Sequence, residues 1–243
     1  MKVVHLSSVH PRYDTRIFIK ECTSLVHAGI EVYFVVADGM GDEEKNGVHI
    51  IDAGPRKQSR LLRMIQTVQK VFNKACKIDA DYFHLHDPEL LPLVPFLKKR
   101  GRIIYDMHEN VPKQILTKKW IPKIFRSLIS KMFQFLEKLF LRNTHVIFAE
   151  LSYAKDYSWL KNTTTILNMP LVSNLETIAK KVSKYSHFSL GYIGGVSPVR
   201  GSIIILEALR ILKSRHVSFF FECVGPISNS HEKELLAFLK NII

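Results

Sequence analysis

Short β-branched runs alternate along this chain with segments of helical spacing, and that alternation narrows the fold to a parallel sheet wrapped by helices. Strands are expected at residues 2–7, 31–36, 48–51, 82–85, 102–106, 145–149 and 164–167. Helices are expected at 16–28, where Gly29 stops the run, at 61–76, and at 90–100, closed by Gly101. These elements make a first domain over residues 1–169. Residues 170–186 turn polar, lose strong periodicity and read as an inter-domain linker. A second unit restarts over 187–243, with a strand at 188–193, a glycine-bearing loop at 194–200 and a helix at 201–215. A strand at 217–224 and a last helix, which Ser230 would cap, complete it. Two strands with their helices cannot bury both faces of a sheet, so this second unit is expected to be unfinished.

At 243 residues and 47% apolar content, the chain can build one large core, or one core plus part of another. Polar groups interrupt the first residues before an apolar run reaches the length of a signal-peptide core or membrane span, which places the chain in the cytoplasm. Cys22, Cys76 and Cys223 are odd in number and lack metal-type spacing, so they read as small core residues. Asn162-Thr163-Thr164 matches a glycosylation acceptor but has no secretory context. The formal net charge of +13 calls for an anionic partner. No aromatic-basic repeat or nucleic-acid reading motif accompanies it, so nucleic acid is not expected.

Much of that charge sits in residues 113–142, which hold eight Lys or Arg against a single acid, Glu137. Ile121, Ile124, Phe125, Leu128, Ile129, Met132, Phe133, Leu136, Leu139 and Phe140 recur there at helical spacing, opposite Lys123, Arg126, Lys131, Gln134 and Lys138. An amphipathic basic helix beginning near Pro122 follows. It reads as a core-packing helix with a solvated charged face, and also as an anchor on anionic lipid, where each basic residue adds roughly 1 kcal/mol.

Parallel sheets bind ligands outside the carboxyl ends of their strands. Three polar loops are expected at that edge: residues 9–16 with Arg12, Asp14 and Arg16; His86-Asp87-Pro88-Glu89; and Met107-His108-Glu109-Asn110. Arginines, carboxylates and imidazoles together suit a hydroxyl-rich, partly anionic ligand. Asp87 reads equally as a helix cap followed by Pro88 in the first turn. His86 and Glu89 read as ligand groups, and His108 as a strand-end imidazole able to orient a hydroxyl or move a proton. His84 and His86 share a strand face and with Glu109 imitate a metal site, but no further ligand spacing supports one. No metal or cofactor is therefore expected. In the second unit, Gly194, Gly195, Arg200 and Gly201 lie between a strand and a helix, where glycines admit a diphosphate and Arg200 can pair with it. A tight turn with a solvated arginine explains the same residues.

These stretches together resemble glycosyltransferase family 4. The likeness runs in order through His10-Pro11-Arg12-Tyr13-Asp14-Thr15-Arg16-Ile17-Phe18 with Lys20-Glu21, through His86-Asp87-Pro88-Glu89-Leu90, and through Tyr105-Asp106-Met107-His108-Glu109. The resemblance implies a GT-B-like α/β fold, with an acceptor-side Rossmann-like domain followed by a partial nucleotide-sugar-binding domain. It implies sugar transfer from a nucleotide-diphosphate donor to a saccharide or polyprenyl-linked acceptor, usually with retention, as in envelope or exopolysaccharide synthesis. His108 takes the role of contact to the transferred sugar, with Glu109 beside it as the second catalytic candidate. Arg12, Asp14, Arg16, His86, Asp87 and Glu89 fall on the acceptor side, and Gly194, Gly195, Arg200 and Gly201 on the donor diphosphate. Family members commonly carry an arginine directly after the first loop glycine, where this chain has Gly195. Their acidic Glu-x7-Glu segment has no counterpart before Ile243, which points to a fragment, a truncated product or a partner-completed subunit. A nucleotide-sugar 2-epimerase and a non-catalytic binding subunit are the rival readings. With the basic helix, the resemblance places the protein in the cytoplasm, peripheral at the inner face of the plasma membrane.

Overall fold

The first strand, β1 (Lys2–Leu6), is apolar enough to lie inside a sheet, and Val3, Val4 and Leu6 are all buried. In the computed structural model, which describes residues 1–118, 120–172 and 188–240, the chain divides into two compact units, Met1–Met169 and Pro170–Ile243. After β1 come helix α1, wide-turned over Thr15–Cys22 and α-helical over Thr23–His27, then β2 (Glu31–Val36), β3 (Glu43–Lys45) and β4 (Val48–Asp52). Helix α2 runs through Arg60–Leu62, Arg63–Thr67 and Val68–Ala75, and leads to β5 (Tyr82–Leu85). Helix α3 starts as tight turns at Pro88–Leu93, becomes α-helical at Val94–Leu97, and precedes β6 (Arg102–Met107). Helices α4 (Val111–Thr117) and α5 (Lys123–Leu141), β7 (His145–Phe148), α6 (Leu151–Asp156) and β8 (Thr163–Thr165) complete the unit.

The eight strands lie in the order β3-β4-β2-β1-β5-β6-β7-β8, all parallel except the edge strand β3. The inner strands alternate their side chains between two helix-covered faces, while the edge strands β3 and β8 are largely exposed. One face, with Val4, Leu6, Phe83, Leu85, Tyr105, Met107, Val146 and Phe148, joins the core packed by α2 and α3. The other face meets α1 through Ile17, Phe18 and Cys22 against Val32, Phe34, Val36, Val48 and Ile50. At the centre of this second face the alternation puts His5, His84 and Asp106 where apolar residues usually sit, all buried. Arg16 of α1 reaches across with Nε and Nη2 at 2.8 and 2.6 Å from the two Asp106 oxygens, a bidentate pair inside the protein.

Several elements differ from the sequence reading. Strand β3 is a hairpin arm, and its turn at Asn46 and Gly47, both at positive φ, carries the Asn-Gly signal of a tight hairpin. Helices α4 and α6 were unexpected because each is only two turns long or less. Helix α5 lies where a helix was expected, but its buried side chains are Ser130, Glu137 and Leu141. Ile124, Leu128, Met132 and Leu139, which the core-packing reading would bury, are more than half exposed, as is Phe135. Only a narrow stripe that includes Phe133 and Phe140 packs inward, because a helix laid on a domain buries one face.

The second unit contains β9 (Ser189–Ile193), a tight turn at Pro198–Arg200, α7 (Ser202–Ser214), β10 (Phe220–Val224) and α8 (Asn229–Lys240). Strands β9 and β10 pair in parallel, and Ser202 Oγ of α7 meets His231 Nε2 of α8 at 2.7 Å. The linker expected at 170–186 lies mostly outside the described residues, as does the end of the last helix.

Two stability predictions follow from the buried charges of the first unit. Asp106→Asn leaves the Arg16 guanidinium facing a neutral amide, and urea denaturation should record a loss of about 3 kcal/mol; an unchanged midpoint would remove the pair from the account. Burial pushes the Glu137 carboxyl up to about 7, with the Tyr157 hydroxyl, donating at 3.2 Å, opposing. The folded state then holds a proton that the unfolded chain releases near 4.5, so stability is full below that pH and falls as pH rises toward 7. Glu137→Gln should match the parent in thermal melts near pH 4.5 and exceed it at pH 8 by on the order of 2 kcal/mol. Equal differences at both pH values would contradict this.

Candidate functional site

From β1 the chain builds outward through β2 and β4, then returns to the other side of β1 with β5. The loops after β1 and β5 therefore leave in opposite directions, and a parallel sheet opens its binding crevice at the carboxyl ends of such a pair. Three loops meet there. Asp87 Oδ2 accepts from Ser7 Oγ at 2.9 Å, from the Ser8 N–H at 2.6 Å and from Ser8 Oγ at 3.2 Å, tying the β1 loop to the β5 loop. Asp87 does precede α3, but its side chain makes no capping bond, so the cap reading is replaced by this cross-loop tie. Burial raises the Asp87 carboxyl, against the lowering by His10 and the Ser8 N–H. Glu89 is held by Ser8 Oγ at 2.6 Å and by Arg63 Nε at 2.9 Å.

Asp106, the penultimate residue of β6, organises the third loop. Besides Arg16, its Oδ2 lies 3.4 Å from His86 Nδ1 and 3.6 Å from His108 Nδ1. Burial opposes its ionisation, but the hydrogen bonds from Arg16, with the His108 and His86 imidazoles close by, hold its carboxyl well below the usual range. His108 stands half-buried beside His10, their rings edge to face with centroids 5.0 Å apart. His10 in turn bridges Asp14 Oδ2 at 3.1 Å and Asp87 Oδ1 at 3.4 Å. Burial alone would lower the His10 pKa, but these carboxylates carry it above the ordinary value.

The expected residues divide by their surroundings. His86, Asp87 and Arg16 are buried, so in this structure they support the edge from behind. Arg12 is buried as well, with four of its N–H groups committed to both Asp38 oxygens, Glu43 and the Gly41 carbonyl. Asp14 caps α1 by accepting from the Arg16 and Ile17 N–H groups. Burial would raise its carboxyl, but His10 and the Ile17 N–H outweigh it and bring the value to about 2. His108 reaches the surface of the edge and Glu109 is exposed. Ser7, Ser8 and Arg63 carry no signal in the sequence, and Glu21 enters only beside Lys20 in the first motif, with no role assigned. The two serines fall in a strand end and loop, while Arg63 lies far in sequence from Glu89.

The carboxylate that joins His84 and His86 is Glu21 of α1 and not Glu109, and the parallel register of β1 with β5 adds His5 opposite His84. These four side chains are the candidate metal ligands of the first unit among the described residues.

In the second unit, the loop after β9 has Gly194 at φ +140° and Gly201 at φ +79°, conformations that favour glycine. A Cβ on Gly225 would fall 1.8 Å from the Gly194 carbonyl oxygen, so the two loops touch backbone to backbone. Arg200 is exposed, and its Nη1 lies 3.5 Å from where a Gly194 Cβ would stand. The tight turn expected there exists, at Pro198–Arg200, and runs directly into α7.

A depression of about 1090 Å³ in the first unit opens at the opposite edge among Lys2, Asp81, Arg100 and Arg102. Lying at the amino ends of the strands, it is away from the crevice that parallel sheets use. At the carboxyl edge, a depression of about 540 Å³ is lined by His10, Arg12, Asp38, Met40 and Arg56.

Among solved structures, the chain is similar to sucrose-phosphate synthase from Thermosynechococcus elongatus, with a TM-score of 0.66 and 14% identity over 99% of this chain. It is similar to Anabaena HepE in complex with UDP and glucose, with a TM-score of 0.62 and 14% identity over 100% of this chain. An E. coli protein described as trehalose-6-phosphate, bound with UDP-2-fluoro glucose, has a TM-score of 0.61 and 12% identity over 100% of this chain. The chain spans 67, 66 and 69% of these three, about two thirds of their length. At such identities the likeness establishes the fold, a large, mostly parallel α/β sheet of GT-B type. No curated protein matches by sequence. The model of Glycosyltransferase Family 4 matches residues 16–159, more than half the chain, and takes in Arg16, His86, Asp106 and His108; the chain belongs to that family.

Proposed function

We propose that the first unit provides the acceptor side of a sugar transfer and that loop 194–201 of the second unit holds the diphosphate of a nucleotide-sugar donor. The observation that carries this reading is His108, half-buried at the carboxyl edge, backed by Asp106 and set beside His10. In the transfer, the anomeric carbon loses its bond to the diphosphate oxygen and gains one to an acceptor hydroxyl, whose proton passes to the departing diphosphate. His108 contacts the transferred sugar, with Glu109 at its side. Asp14 and the depression near His10 and Arg12 lie toward the acceptor, while Arg16, His86, Asp87 and Glu89 hold the edge in shape. Retention at the anomeric carbon belongs to the same reading.

Negative charge grows on the diphosphate as its bond to the sugar breaks, and preorganised positive groups lower that barrier. Arg200 and the amino end of α7 supply them at Gly194, Gly195 and Gly201. The UDP and UDP-2-fluoro glucose of the similar structures support a nucleoside diphosphate donor.

The exposed apolar row Ile124, Leu128, Met132, Phe135 and Leu139, flanked by exposed Lys123, Lys131, Lys138 and Arg142, supports docking on an anionic bilayer. No helix among the described residues is long and apolar enough to cross a membrane. A polyprenyl-linked acceptor at the inner face of the plasma membrane, in envelope or exopolysaccharide synthesis, fits such a surface.

His108→Ala should cut transfer about 100-fold or more while the thermal midpoint stays unchanged; full turnover would remove His108 from the mechanism. Arg200→Ala should weaken nucleoside diphosphate binding about tenfold in calorimetric titration, and unaltered affinity would count against the diphosphate loop. Cosedimentation with phosphatidylglycerol vesicles should fall sharply in a Leu128→Ser, Phe135→Ser double variant. Equal binding by parent and variant, or none by the parent, would refute docking through α5.

A further inference from the structure

The polar patch buried between α1 and the sheet has a geometry that hydrogen bonding does not account for. Glu21 Oε2 lies 4.0 Å from His5 Nδ1, 4.0 Å from His84 Nδ1 and 3.8 Å from His86 Nε2, so one carboxylate oxygen faces one nitrogen from each of three imidazoles. His5 Nδ1 and His86 Nε2 are themselves 2.9 Å apart. One ligand atom from each of the four side chains falls within 4.8 Å of all the others. Glu21 Oε2 is buried and has no hydrogen-bond partner among the described residues, and neither do the outer nitrogens His5 Nε2 and His84 Nε2. Buried polar atoms without partners are rare in native proteins, and an ion at the centre of the cluster satisfies Glu21 Oε2 while taking one nitrogen from each ring.

We propose that His5, Glu21, His84 and His86 form a binding site for Zn²⁺ or a similar divalent transition metal, clamping helix α1 onto strands β1 and β5. Three imidazoles and one carboxylate are a nitrogen-rich set that such metals favour over Mg²⁺ or Ca²⁺. In a tetrahedral site with bonds of about 2.0–2.1 Å, ligand atoms stand about 3.4 Å apart, so shifts of about 1 Å or less convert the observed spacing into a coordination shell. The surroundings suit those ligands. Asp106 Oδ2 faces His86 Nδ1 at 3.4 Å, the carboxylate-histidine arrangement that fixes a ligand ring with its other nitrogen toward a metal. Arg16 Nε sits 3.1 Å from Glu21 Oε1 and leaves Oε2 turned to the imidazoles. A cavity of about 430 Å³, lined by His5, Glu21 and His84 with Val3, Leu25 and Ile104, gives an entry path. Four protein ligands fill a tetrahedral shell, so the ion is a structural clamp that leaves His108 outside its coordination.

The test uses the purified chain, expressed without a polyhistidine tag. Elemental analysis should find one zinc per chain, and after chelation Co²⁺ should restore one equivalent with the visible bands of a tetrahedral nitrogen-oxygen site. Excess Zn²⁺ added to the chelated chain should raise the thermal midpoint by about 5 °C or more. Glu21→Gln and His84→Ala should lose both the cobalt bands and the shift. Should either variant fail to fold, the cobalt spectrum of the parent chain decides the matter alone. A parent chain that shows no tetrahedral cobalt spectrum and no zinc-dependent shift overturns the proposal, and so does full metal retention by folded variants of both residues.

Discussion

The bidentate pair between Arg16 and Asp106 is the interaction on which the first unit's carboxyl edge depends. Asp106 lies one residue before the end of the strand that leads to His108, and its carboxylate also faces His86, so one buried charge sets the position of three side chains. Arg16 comes from the first turn of α1, which Asp14 caps. A buried carboxylate without that guanidinium would be costly to ionise, and a neutral one would hold the two imidazoles less firmly. The sequence separation of 90 residues between the partners means that the edge forms only when α1 and β6 are both docked on the sheet.

The same dependence explains what could be read from residue order and what could not. Strand runs such as 31–36 and 82–85 announce themselves by β-branched and aromatic content, and the observed β2 and β5 have those bounds. The loops bearing His86-Asp87 and His108-Glu109 were placed at strand ends by simple periodicity. The direction of each side chain was not legible, because it is fixed by partners distant in sequence. Asp87 looks like a helix cap until Ser7 and Ser8 are brought beside it, and Arg12 looks like a ligand group until Asp38 and Glu43 close around it. His5 carries no motif of its own and gains a role only from its register opposite His84.

Helix α5 teaches a similar lesson about amphipathic patterns. Ten apolar positions at helical spacing read both as a core face and as a lipid anchor, and the helix buries a stripe that includes Ser130 and Glu137 while turning much of its apolar surface outward among lysines. Periodicity fixes which residues share a face and leaves open whether that face meets protein, water or lipid. In the second unit the glycine loops touch backbone to backbone at Gly194 and Gly225. That is the kind of loop in which a phosphate can reach main-chain N–H groups.

The central claim, that Asp106 holds the catalytic candidate in one orientation, is tested most directly by long-range ¹⁵N NMR of the histidine rings. With Asp106 facing Nδ1, the neutral ring of His108 should carry its proton on Nδ1 and present a bare Nε2, and Asp106→Asn should disturb that preference. A parent chain whose His108 is the Nε2–H tautomer, or is unaffected by loss of the Asp106 charge, would contradict the account.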